Sequence, residues 1–159
     1  MRIAATDSDG RGVRGLPGPL YCDASALVKL YVPEADSDGL NRALRGRRDL
    51  LVSDLAITEI VSSLARRRRE GALTASIAGR LHRAILSHME KGVYRRVELL
   101  PATHREAERL LMAVESVALR AADALHLALA VSGDAASVLT YDRRLADAAR
   151  SVGLTVFPS

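Results

Sequence analysis

Apolar residues in this chain fall into short uninterrupted runs separated by longer stretches of helical period. The short runs are Leu20–Cys22, Leu50–Ser53, Val138–Thr140 and Thr155–Phe157, with a further strand candidate at Val93–Leu99. Runs this brief, bounded by turn residues, read as buried strands. Between them, helical spacing is expected over Ala24–Tyr31, stopped by Pro33, and near Ser37–Leu44. Two long helices are expected at Asp54–Arg69 and Thr74–Glu90, on either side of Gly71, with more at Thr103–Val117 and Arg143–Ser151, the last stopped by Gly153. The stretch Ala121–Val131 is apolar nearly all round, the mark of a buried helix. Strands alternating with helices imply an α/β fold, a mainly parallel sheet with helices on both faces in three layers.

That pattern begins only at Leu20. Residues 1–19 are rich in Gly, Asp, Arg and Pro and show no period, so they are expected to form a flexible tail ahead of a single domain over 20–159. Within the tail, Gly10, Gly12 and Gly15 have the spacing of a dinucleotide fingerprint. No strand precedes them, and Pro17 and Pro19 follow where a helix should begin, so the match is false.

Composition narrows the chemistry. A chain of 159 residues, 48% hydrophobic, suffices for one cored domain. No stretch has the apolar length of a membrane span, and the first residues lack the apolar core of a signal peptide, so a cytoplasmic protein is the expectation. Cys22 is the only cysteine, which removes cysteine-based zinc sites and intrachain disulfides; its strand position suggests a buried thiol. The four histidines lack zinc-ligand spacing, and His126 on its apolar helix reads as a satisfied core or rim residue. No nucleophile is paired with a base. Acids remain.

Asp23 follows the first strand and Asp142 the Val138–Thr140 run, at the carboxyl ends of strands where open parallel sheets bind ligands. Either could instead be a helix cap, worth ~1 kcal/mol without any catalytic role. Asp123 sits in the buried helix, where an ionised carboxylate must cap its own first turn, meet Arg120 or hold a cation. Glu59 lies opposite the apolar face of Ile57, Ile60, Val61 and Leu64, so by pattern alone it is a solvated helix residue. Thr58, Ser62 and Ser63 around it leave room for a ligand. Net charge is +4, carried almost wholly by Arg. The Arg66–Arg69 run suits either phosphate contact or a solvated helix end that favours the C-terminal dipole.

Four segments in this order have a familiar look: Tyr21-Cys22-Asp23-Ala24-Ser25-Ala26-Leu27-Val28-Lys29, Thr58-Glu59-Ile60 with Arg66-Arg67, Arg120-Ala121-Ala122-Asp123-Ala124-Leu125-His126, and Thr140-Tyr141-Asp142-Arg143-Arg144-Leu145. From Leu20 onward the chain resembles the PIN-domain ribonucleases, most closely the VapC-type toxins of bacterial toxin–antitoxin modules. The resemblance implies a Mg²⁺- or Mn²⁺-dependent endoribonuclease that cuts RNA, is neutralised by a cognate antitoxin and forms a homodimer. By the family pattern Asp23, Glu59, Asp123 and Asp142 form the acidic metal pocket and Ser25 lies beside the first. Ser25, Arg66, Arg67, Arg143 and Arg144 are the expected substrate contacts. The 19-residue lead is longer than the family pattern, as an accessory arm or a misassigned start.

Three other readings compete. A PIN-domain RNA-processing nuclease outside any toxin–antitoxin module would have the same site. A catalytically silent PIN module binding RNA or protein would be expected to lack one of the four acids. A phosphoaspartyl hydrolase needs a second Asp two positions after Asp23 and meets Ser25, while a phosphoreceiver needs a late Lys and Lys91 is the last.

Overall fold

The structure, a computed structural model, describes residues 15–34 and 37–158. The strands are β1 (Leu20–Cys22), β2 (Leu50–Ser53), β3 (Arg95–Val97), β4 (Ser137–Leu139) and β5 (Thr155–Phe157). The helices are α1 (Ala24–Tyr31), α2 (Ser37–Leu44), α3 (Asp54–Arg69), α4 (Ala75–Glu90), α5 (Pro101–Ala113), α6 (Ala121–Ser132) and α7 (Arg143–Ser151). All strand pairs are parallel, in the order β3-β2-β1-β4-β5.

Alternation along the strands builds two cores. Leu20 and Cys22 of β1, with Leu50 and Val52 of β2, face Leu27, Ile60, Leu64 and Ile85 on one side. Tyr21, Leu51, Val138 and Val156 face Leu110, Leu127, Ala128 and Ala148 on the other. The three-layer α/β arrangement expected from the sequence is the arrangement observed, with α1–α4 over one face and α5–α7 over the other. The buried thiol of Cys22 is also as expected.

The fourth strand is Ser137–Leu139 rather than Val138–Thr140, and two further elements differ from expectation for identifiable reasons. The strand expected over Val93–Leu99 is only Arg95–Val97, because its partner β2 offers a ladder of three pairs. Beyond that ladder the Leu99 N–H donates to Asp54 Oδ2 instead. The helix expected over Thr103–Val117 runs over Pro101–Ala113: proline needs no amide partner at the first helical position, and the backbone turns extended at Val114.

Part of the expected tail is packed. Arg47 Nη1 donates to the Leu16 carbonyl, Ser137 Oγ to the Pro17 carbonyl, and the Ala136 amide to that of Pro19. A Cβ on Gly18 would run into the Asp49 carboxylate, so any larger residue there would have to displace the Asp49 side chain from its pairing with Arg47. Residues 1–14, and with them most of the glycine match, lie outside the described residues.

Strand order decides where a ligand can bind. The chain moves outward from β1 through β2 to β3, then crosses back to place β4 on the other side of β1. Crossovers of opposite sense open a crevice at the carboxyl ends of β1 and β4. Asp23 and Asp142 stand beside it.

Candidate active site

Asp23 ends β1 and caps α1. Its extended backbone turns into the helix and its Oδ1 accepts from the Ala26 amide at 2.9 Å. Ser25 Oγ donates to the same carboxylate at 2.7 Å and Thr140 Oγ1 donates to Oδ2 at 2.7 Å. The Thr140 hydroxyl also accepts from the Asp142 amide at 3.0 Å, and Ser25 Oγ accepts from the Tyr141 amide at 2.7 Å. Two hydroxyls thus rivet Asp23 to the turn that carries Asp142. Asp23 is 3% exposed. Burial pushes its carboxyl above the ordinary range, and the bonds from Thr140, Ala26 and Ser25 pull back only in part.

Asp142 caps α7, its Oδ1 accepting from the Arg144 and Leu145 amides. Asp123 lies in the first turn of α6, where Oδ2 accepts from the Arg120 amide at 2.9 Å; Arg144 Nε stands 3.8 Å away. Capping is therefore real at all three aspartates. It occupies one oxygen of Asp123 and one of Asp142, and the other oxygen of each has no hydrogen bond among the described residues. Glu59, on α3, has its Oε2 2.7 Å from His126 Nε2.

All four acids line one cavity of about 580 Å³ at the crevice, together with Ser62, Ser63, Arg66, Arg67 and Arg120. Lys29 and Glu34 also line it, and neither stood out from sequence. Glu34 accepts from Arg67 Nη2 at 2.7 Å and pairs with Lys29 Nζ at 3.1 Å, which holds its carboxyl below the usual range. Arg67 Nε is buried with no partner among the described residues.

Several expectations change. Ser25, an expected substrate contact, lines the cavity; its hydroxyl also donates to Asp23 and accepts from the Tyr141 amide, so it braces the site as well. Of the basic residues, Arg66 and Arg67 reach the cavity and Arg144 reaches Asp123. Arg143 is exposed and is not on the cavity wall. Thr140, to which pattern reading gave no role, bonds both Asp23 and the Asp142 amide; its place two residues before Asp142 was the available signal. His126 is a satisfied residue, as expected, but one of its partners is Glu59.

Hard carboxylate oxygens suit Mg²⁺ or Mn²⁺, and a buried Asp23 without a countercharge favours a cation beside it. Among the described residues no three His, Cys, Asp or Glu side chains are grouped closely enough to hold a metal ion. The donor set fits in kind, and the oxygens of Asp123, Asp142 and Glu59 that make no hydrogen bond are those available to converge. No helix among the described residues is long and apolar enough to cross a membrane.

The family model of the PIN domain matches residues 20–151. Ribonuclease VapC46 of Mycobacterium tuberculosis is 35% identical over 139 residues, spanning 86% of this chain and 95% of its own length. Ribonuclease VapC49 of the same organism is 36% identical over 142 residues, spanning 88% and 95%. Among solved structures, M. tuberculosis VapC20, described as a Sarcin-Ricin loop cleaving toxin, superposes with a TM-score of 0.64 at 15% identity, covering 86% of this chain and 96% of that one. A Pyrobaculum aerophilum protein, PAE2754, gives 0.63 at 23% identity, covering 86% and 82%. These two likenesses concern the fold.

Proposed function

The chain belongs to the PIN-domain family, among its VapC-type ribonucleases, and on that premise we propose that the acidic cavity is the active centre of a metal-dependent endoribonuclease. In this reading it is the toxin of a type II toxin–antitoxin pair, acts on RNA in the cytoplasm as a homodimer, and is neutralised by a cognate antitoxin protein. The observation that carries the proposal is the meeting of Asp23, Glu59, Asp123 and Asp142, from four separate elements, on one cavity at the switch point of the sheet.

Asp23 and Asp123 would be the principal holders of Mg²⁺ or Mn²⁺, with Glu59 and Asp142 ligating directly or through water. The ion supplies a water of lowered pKa and charge relief at the phosphate. The chain's own residues do the rest. Ser25 and Thr140 hold Asp23 in place, the α7 cap holds Asp142, and the Asp123 cap fixes that side chain in the first turn of α6. Arg66, Arg67 and Arg144 supply positive charge for the phosphates flanking the scissile bond.

Purified protein freed of any antitoxin is expected to cut structured RNA with Mg²⁺ or Mn²⁺ and to stop with a chelator. Asp123→Asn separates catalysis from capping, because Asn still offers an oxygen to the Arg120 amide. Activity should collapse while the metal-free melting temperature stays level or rises slightly, and Mg²⁺ should stabilise the variant less than wild type. Full activity with unchanged Mg²⁺ stabilisation would refute the assignment.

A further inference from the structure

A hydrogen-bond chain leaves α3 at its N-cap and returns to it at Glu59. Ser53 ends β2 and caps α3, its Oγ accepting from the Ala56 amide at 3.1 Å. The same Oγ is 2.8 Å from the hydroxyl of Tyr21 on β1, and that hydroxyl is 2.7 Å from His126 Nδ1 on α6. His126 Nε2 then stands 2.7 Å from Glu59 Oε2. Ser53 and Tyr21 have no exposed surface and His126 has 5%. The chain links β2, β1 and α6 before coming back to Glu59 at the cavity wall.

The chemistry of the partners gives the last bond its direction. An ionised carboxylate only accepts, so Nε2 carries a proton whether the ring is neutral or charged. In the neutral ring Nδ1 must then accept from Tyr21, and Tyr21 accepts from Ser53, whose remaining lone pairs serve Ala56. Burial pushes the Tyr21 hydroxyl far above its ordinary range, so it keeps its proton to give. Every polar atom in the chain is satisfied by this one arrangement. Glu59 has no other hydrogen bond among the described residues, and its side chain is 36% exposed. The bond from His126 is what holds this carboxylate in one place. Asp123 lies three residues before His126 on the same face of α6, so that helix sets one acid directly and a second through the imidazole.

We propose that His126 is a positioning residue for the nuclease site: backed by Tyr21 and Ser53, it presents Nε2–H to Glu59 and fixes that carboxylate against the cavity wall. The proposal rests on the reading of the cavity as the nuclease site. A histidine that merely fills the core would need no particular tautomer and no donor toward the cavity.

The test compares His126→Leu, His126→Gln and Glu59→Gln, using RNA cleavage with Mn²⁺ and, separately, the rise in melting temperature with Mn²⁺ alone. Loss of such a supporting partner costs about 10–100-fold in activity or metal affinity. His126→Leu is expected to lower kcat about tenfold with KM little changed, and to need about tenfold more Mn²⁺ for the same thermal shift. His126→Gln, which can place an amide donor near the Nε2 position, should recover most of both. In the Glu59→Gln background, His126→Leu should cost nothing further. Wild-type kcat and Mn²⁺ response in His126→Leu would overturn the proposal, as would a His126→Gln variant no better than His126→Leu at equal stability. Should the substitutions unfold the protein, ¹⁵N NMR of the wild-type imidazole decides: a protonated Nε2 supports the clamp, and the Nδ1–H tautomer overturns it. Full activity in Glu59→Gln would remove Glu59 from the nuclease site and the clamp with it. An inactive Glu59→Gln beside an unaffected His126→Leu would overturn the clamp alone.

Discussion

Asp23 and Glu59 face the same cavity but are held by different means. Asp23 follows the central strand directly, is almost wholly buried, and accepts from two hydroxyls and a helix amide. Glu59 sits in the middle of a helix, has a side chain about one-third exposed, and relies on a single bond from another layer. Backbone geometry therefore places the first acid, whereas a side-chain partner places the second. Burial gives Asp23 a need for a nearby cation that Glu59, in water's reach, does not share.

The sharpest way to break this comparison is to neutralise each acid in turn. Asp23→Asn is expected to cut RNA cleavage by at least about 10²-fold, because several kcal/mol of charge stabilisation are lost and each 1.36 kcal/mol is a factor of ten. Glu59→Gln should cost less, since Glu59 is the partly exposed acid of the pair and Asp23 the buried one. Single-turnover rates check the order, and equal losses would mean that the two acids share one role.

The bracing of Asp23 comes next. Thr140→Val keeps volume but strips Asp23 Oδ2 of one donor and the Asp142 amide of its acceptor. Asp23 Oδ2 keeps the Ser25 hydroxyl and the Asp142 amide can meet water, so the loss of the two bonds should cost about 1 kcal/mol, read from denaturant unfolding. The burial of Asp23 also has a pH signature in the presence of a chelator. Its native pKa is raised, so above the unfolded value of about 3.9 the native state binds the proton that the unfolded chain has released. Stability is then fully present below that value and falls as pH rises through the native pKa; Asp23→Asn should lack this component. A wild-type protein whose stability shows no difference from Asp23→Asn across this window would remove burial as the reason Asp23 wants a cation.

The smallest effect concerns the arginines. Arg66→Gln should shallow the log–log salt dependence of RNA binding by about 0.7 for one lost contact to a single strand, whereas Arg143→Gln should leave it unchanged. The reverse result would move the RNA path from the α3 wall to the outer side of α7.

Most of the fold was legible along the chain, because the period of apolar residues is a local property. The bounds of β1, β2, α3 and α7 follow it directly, and the caps at Asp23, Thr74 and Asp142 mark where strand or loop gives way to helix. Where reading by pattern fell short, a non-local partner intervened. β3 is short because β2 is short, and Leu99 spends its amide on Asp54. Leu16–Pro19 looked like tail because nothing in their own sequence announces Arg47, Asp49 or Ser137 as partners.

The candidate site divides in the same way. Sequence alone singled out the acids that the structure brings to one cavity and the strand ends that present two of them, since a strand–turn–helix with Asp at the turn is a local motif. It also determined that Asp123 would be buried, from the apolar helix around it. Only the tertiary structure decided that Ser25 and Thr140 brace Asp23, that Arg143 turns away from the cavity wall while Arg66 and Arg67 line it, and that Glu59 is tied to His126. Those bonds join residues 117 apart for Thr140 and Asp23 and 67 apart for His126 and Glu59. Which side chains meet at such separations is set by strand order and layer packing, and no local period encodes either.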